Sequence, residues 1–223
     1  NNFLINIQPD EVSKLRAYLN ENKIDPDLYP MIRGRLVAMN DKPVVIDEYE
    51  SERARRLLQR EFNLSSVEAF PEANILLEGE WFKPEDKEGF SVEEGVMERF
   101  SLVLGDTMTF DIGGQQFTQK ITSVRRVNWD NLTPNFFVLG APESMDKLPQ
   151  TWITSIYAPP ENRTLVPDLI KQHPSVSAIN IGAIMAQVKE LIGKAAFAVQ
   201  AIFAFTLIAG IVVLFAALQS QKA

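Results

Sequence analysis

Residues 201–218 read AIFAFTLIAGIVVLFAAL, with Thr206 as the one polar side chain, and no charged residue occurs from Ala195 to Gln221. About 20 apolar residues, each rising about 1.5 Å, cross a bilayer core of about 30 Å, so residues 195–219 are predicted to form a transmembrane helix. A helix buried inside a soluble core is the competing reading, but such helices are rarely so long and so uniform. Thr206 can return its hydroxyl to the helix backbone, and Gly210 lets a second helix approach closely. Both are assigned to packing within the membrane. The run stands at the C-terminal end of the sequence, which separates it from a signal peptide. The sequence begins at Asn1 rather than Met, and the chain is expected to be a fragment of a longer protein. Lys189 and Lys194 precede the run and Lys222 follows it, so local positive charge leaves the orientation undecided.

Immediately upstream, Ile181, Ile184, Val188 and Leu191 recur at intervals of three and four, with Met185, Ile192 and Ala195 widening the stripe. No proline interrupts the passage into the apolar run. The spacing therefore predicts one helix of about 40 residues and about 60 Å, with residues 181–194 as a stalk outside the bilayer. Two readings of the stripe stand side by side. It either covers the core of the preceding domain or forms a seam that pairs with another helix and carries force. Gly182 and Gly193 are candidate bends.

Further back, two segments share one order of elements. Residues 3–7 read as a strand, residues 9–11 open a helix carrying Val12, Leu15 and Leu19, and residues 31–39 read as a second strand. Near the end of the domain, residues 152–157 read as a strand. Pro159, Pro160 and Glu161 then lead into a helix with Leu165, Leu169 and Ile170, and residues 176–179 form a strand after Pro174. Between these halves a charged helix is expected at 49–61, its Arg53, Arg55, Arg56 and Arg60 forming a solvated face. Strands are expected at 62–70 and 74–82, with a loop at 83–89. Ser91 and Glu94 have capping-box spacing for a helix through about Leu102. A hairpin over 107–127 turns at Gly113-Gly114, and another short strand follows at 136–139. The fold class is thus α+β. Two strand-helix-strand halves within residues 1–180 flank a β-rich insertion at about 71–134, followed by the long stalk and transmembrane helix.

The chemistry search excludes more than it finds. With no Cys, the chain builds no disulfide, thiol nucleophile or cysteine-ligated zinc. With 22 Lys+Arg against 29 Asp+Glu, a formal charge of −7 argues against a nucleic-acid partner. There is no GxxxxGK[ST] loop, no GxSxG elbow and no strand-to-helix setting around Gly113-Gly114 for a dinucleotide. The single His, His173, stands before Pro174, where a helix-end cap is expected rather than a general base. Glu93-Glu94 and Asp106 with Asp111 coincide with an expected cap and turns. No catalytic, cofactor or metal residue is assigned. Asn63, Asn131 and Asn162 begin Asn-X-Ser/Thr patterns, and Trp129, Phe136, Phe137 and Trp152 are expected to join the core, the alternative being an apolar surface for a lipid-like ligand.

The stretch LGDTMTFDIGGQQFTQKITSVRRVNWDNLTPNFFVLGAP at 104–142, above all SVRRVNWDNLTPNFFV, and the final FTLIAGIVVLFAALQSQ resemble ABC-transporter permeases of the MacB, FtsX and LolC type, closest to the YbbP-like branch. The resemblance spans nearly the whole chain. It implies a bacterial inner-membrane permease with residues 1–180 in the periplasm and residues 220–223, including Lys222, beginning a cytoplasmic segment. It also implies a separate cytoplasmic ATPase that binds ATP and Mg, and a second permease copy or half. A periplasmic hydrolase or lipid acceptor is a further implied partner. In this family, motion at the ATPase passes along stalk helices to periplasmic domains that extract or expel lipophilic molecules or control a periplasmic enzyme. The alternative is a membrane-anchored binding or scaffold module that recruits a periplasmic protein without transport. A membrane-tethered hydrolase would need a nucleophile and base that the sequence, with His173 as its single imidazole, hardly offers.

Overall fold

The computed structural model describes residues 2–159, 161–162 and 164–220, with the side chains of 183–186 and 212–220 outside that description. Asn1, Pro160, Arg163 and Lys222 lie outside the described residues. In chain order the elements are β1 (Asn2–Ile7), α1 (Val12–Glu21), β2 (Leu28–Met39), β3 (Lys42–Pro43), a 3-10 turn (Ile46–Glu48), α2 (Glu52–Leu58), β4 (Phe62–Ser66) and β5 (Asn74–Gly79). They continue with β6 (Phe90–Glu93), α3 (Glu94–Phe100), β7 (Thr107–Ile112), β8 (Gln115–Val127), β9 (Val138–Gly140), β10 (Thr151–Ile156), α4 (Leu165–Gln172), β11 (Ser177–Asn180) and α5 (Ile181–Ser220). The chain divides into two compact units, Asn1–Ile179 and Asn180–Ala223.

In the first unit the strands run in the order β11-β1-β10-β2-β4-β9-β6-β8-β5, with β3 against β2 and β7 against β2 and β8. The first four form a split βαβ arrangement, in which β10 lies antiparallel between β1 and β2. Both crossover helices bury residues one turn apart, Leu15 with Leu19 on α1 and Leu165 with Leu169 on α4. These meet Leu4, Ile7, Ile156 and Val176 in one small core. Tyr18 fastens the two helices by donating its hydroxyl hydrogen to the Leu165 carbonyl at 3.2 Å.

β2 extends beyond this layer. Its first residues pair with β10 through Thr151↔Met31, its middle with β4 through Ile32↔Leu64, and its end with β7 through Arg35↔Asp111. A strand of 12 residues spans about 40 Å, long enough to serve both regions. The larger core surrounds Phe62, Phe90 and Phe110, whose rings meet edge to face at 5.5 Å and 5.7 Å.

Several local expectations shift. The helix expected at 49–61 is shorter, α2 at Glu52–Leu58, and starts at Ser51, which caps it by accepting from the Ala54 N–H. The capping box at Ser91 and Glu94 does not form. Ser91 lies within β6, and Glu93 caps α3 by accepting from the Val96 N–H at 3.1 Å. The strands expected at 62–70 and 74–82 end at Ser66 and Gly79, the second at a left-handed glycine. β2 starts earlier than expected and includes Pro30. The hairpin forms as expected, with Ile112 facing Gln115 and both Gly113 and Gly114 at positive φ.

The second unit is α5, an unbroken helix of 40 residues that continues through Gly182 and Gly193. Its stretch Gln187–Ile211 is long and apolar enough to cross a membrane.

Candidate functional site

Strand alternation on β8 turns Ile121, Ser123, Arg125 and Val127 inward, while Thr122 and Arg126 remain exposed. Arg126 forms a forked pair with the Glu94 carboxylate at 2.5 Å and 2.9 Å. Arg125 is different. It is 1% exposed and is the bulkiest fully buried side chain among the described residues. One Nη1–H donates to Asn74 Oδ1 at 2.6 Å, and Nη2 donates to the Phe136 carbonyl. Nε, also buried, has no partner. Among the described residues no carboxylate forms an ion pair with this guanidinium. Glu93, its buried neighbour across the parallel β6–β8 register, accepts the α3 cap hydrogen bond through Oε2 and also supplies opposite charge near the guanidinium. Burial lowers the Arg125 pKa to about 10, with the Glu93 charge acting in the opposite direction, so the guanidinium remains protonated at neutral pH.

Arg125 contributes to the wall of a cavity of about 1070 Å³. Tyr29, Phe136 and Trp152 supply aromatic surface there, while Asp27 and Glu72 are exposed carboxylates of the same lining. The Tyr29 and Phe136 rings lie 6.3 Å apart. Burial raises the Tyr29 pKa, and the Asp27 and Glu72 charges raise it further, so its hydroxyl stays a donor. The cavity therefore has aromatic wall surface and a mixed charged rim, with Arg16 exposed beside carboxylates that include Asp27, Glu72 and Glu143, and Arg125 buried behind it.

The remaining candidates have structural placements. The His173 side chain does not cap helix carbonyls. Its Nδ1 lies 3.4 Å from Glu11 Oε1, and Ser175 Oγ donates to the other oxygen of the same carboxylate. In a hydrolytic triad the imidazole bridges hydroxyl and acid; here the carboxylate bridges hydroxyl and imidazole, which ties the start of α1 to the turn after α4. Asp106 accepts from the Val103 N–H at 2.9 Å, and Asp111 accepts from the Gly114 N–H at 3.0 Å. The four aromatic residues expected in one core separate. Trp129 is 47% exposed and stacks on Phe137, Phe136 sits in a small cluster with Met31 and Leu139, and Trp152 packs near the crossover helices.

On α5, Val188 and Leu191 are exposed and Ile181 is half-buried, while the Ile184 side chain lies outside the described residues. Thr206 Oγ1 donates to the Ile202 carbonyl at 2.8 Å. With Phe203, Leu207, Gly210 and Ile211 it lines an apolar groove along the helix, and the space beside Gly210 is open.

Sequence reading assigned no role to Arg125 or to the cavity. The available signal was an arginine placed in phase with Ile121 and Val127 on an alternating strand.

No family model matches the chain. Over 189 residues, 84% of its length, it is 40% identical to the ABC transporter permease YbbP of Escherichia coli (strain K12). The chain spans only about a fifth of that curated relative, 22% of its length. Among solved structures, a domain attributed to a permease protein of Porphyromonas gingivalis matches with 10% identity and a TM-score of 0.37, over 79% of this chain and 85% of that one.

Proposed function

From this kinship with an ABC transporter permease we propose that the chain is the periplasmic body and following membrane span of such a permease in a bacterial inner membrane. In this reading residues 1–180 face the periplasm as a MacB-like domain with a β-rich insertion at about 71–134. Residues 181–194 form a stalk, residues 195–219 cross the membrane, and residues 220–223 begin a cytoplasmic segment. ATP and Mg bind a separate ATPase subunit. The ATPase cycle displaces the stalk, and the stalk moves the periplasmic body, which extracts or exports a lipophilic substrate or directs a periplasmic partner to it. Ile181, Ile184, Val188 and Leu191 form the seam against a second permease copy or half. Thr206 and Gly210, one turn apart, form a small-residue contact within the membrane.

The observation that carries this reading is the unbroken α5, since a helix without an internal break transmits displacement along its axis over about 60 Å. Cysteine pairs placed near Val188 and Leu191 in the assembled permease test it. Crosslinking yield should differ between nucleotide-free and ATP-bound states, and an unchanged yield would reject the mechanical role.

The cavity around Arg125 favours a second reading, a membrane-anchored binding or scaffold module that works without transport. Function retained after deletion of the ATPase would select it.

A further inference from the structure

β11 runs without a linker into α5, Asn180 being followed directly by Ile181. It is a short strand at the edge of the sheet, with β1 as its neighbour. Ser177, Ile179 and Asn180 are exposed and Ala178 is half-buried, so side-chain burial holds the strand weakly. An edge strand with so little buried surface opens more readily than the sheet behind it. The turn before it is held differently. Val176 is buried, and polar groups of residues 173–175 are engaged from the far end of the chain. Asn6 Nδ2 donates to the Ser175 carbonyl at 2.9 Å, the Ser175 hydroxyl donates to Glu11, and His173 Nδ1 lies 3.4 Å from the same carboxylate.

β1 is distorted where it makes the first of these contacts. Its register with β10 shifts between Leu4 and Ile7, and Asn6, inside that irregularity, has a φ of 61°. A bulge re-aims a side chain, and left-handed backbone costs free energy at any residue other than glycine. Gln8 Nε2 donates to the Asn6 carbonyl at 3.3 Å and to its Oδ1 at 3.4 Å, which leaves the Asn6 amide nitrogen for Ser175.

We infer that Asn6, Glu11 and Ser175 form a latch that keeps β11 seated on the sheet, so that the chain entering α5 stays fixed to β1 and α1. With the latch closed, a displacement of the helix reaches β1; with it open, β11 peels away and the displacement is lost. The force that the latch carries rests on the mechanical reading proposed above, whereas the seating of β11 is a property of the chain alone. The three are positioning residues.

Hydrogen exchange on the full 223-residue chain in detergent tests the seating. Asn6→Gly keeps a backbone conformation that glycine adopts freely and removes only the side-chain tether. It should speed exchange of the 177–180 amides about fivefold and leave Phe110, in the larger core, unchanged. Ser175→Ala, which removes the hydroxyl bound to Glu11, should act in the same direction. Unchanged exchange at 177–180 overturns the latch, as does an equal acceleration at Phe110, the mark of a general loss of stability. In the assembled wild-type permease, the ATP-dependent crosslinking near Val188 and Leu191 should come with a nucleotide-dependent change in the exchange of β1. Asn6→Gly should keep the crosslinking change and lose the β1 change, a split that altered stability alone does not produce. Absence of a β1 change in wild type, or its retention in the variant, refutes transfer through the latch. A wild-type stalk that ignores nucleotide refutes the mechanical reading, while fivefold acceleration at 177–180 still upholds the seating of β11.

Discussion

Glu11 shows how one carboxylate holds distant parts of the chain. It accepts from the Ser175 hydroxyl and lies against His173, and Asn6 Nδ2 donates to the Ser175 carbonyl at 2.9 Å from the end of β1. The Ser175 hydrogen bond is the main cause that keeps the Glu11 carboxyl below its ordinary value of 4.5, with burial opposing it. A depressed acid stabilises the fold above its unfolded pKa and loses that contribution as pH falls through the folded value. Thermal stability should therefore decline as the pH drops below about 4.5, and Glu11→Gln should make that decline shallower. Calorimetry between neutral and acid pH measures both. Arg125 leads to a second expectation. Arg125→Met leaves the Asn74 and Phe136 acceptors without a donor, at a cost of about 2–4 kcal/mol, read from urea unfolding of the detergent-solubilised chain. At this scale the sequence identified chemistry better than partners. It placed Glu93 and Glu94 near a helix start, but which of them capped the helix depended on where β6 ended.

Elements were most legible where periodicity and turn chemistry agreed. The hairpin of β7 and β8 combines alternation with two glycines in the left-handed region, so its register was open to sequence reading. β5 was harder to bound, because its end is set across the sheet. Gly79 has φ +76°, and a Cβ there would stand 2.1 Å from the Thr122 carbonyl oxygen on β8. Gly79→Ala should cost at least about 1–3 kcal/mol from backbone strain alone, seen as a lower urea midpoint, while an exposed substitution at Glu80 should not. α5 lies at the opposite extreme. Nearly every residue after Ala195 favours one element in an apolar medium, and neither Gly193 nor Gly210 interrupts it.

For the molecule as a whole, three buried clusters lie within residues 4–176, and the described apolar side chains after Val188 remain exposed. A fragment ending at Ile179 should remain soluble without detergent and unfold cooperatively, whereas the 223-residue chain should partition into detergent or vesicles. Loss of cooperative unfolding in the fragment would show that the first unit needs α5 for its stability.

The sequence by itself determined the charge-free apolar helix, the two strand-helix-strand segments, the hairpin and the absence of a catalytic motif. Each arises from local periodicity, turn residues or composition, which neighbouring positions encode directly. Only the tertiary structure decided that β10 lies between β1 and β2, that Glu11 meets Ser175, and that Arg125 shares a cavity with Tyr29. Those relations join residues separated by scores to more than a hundred positions. They come from burying several faces at once, and no short window of sequence contains that condition.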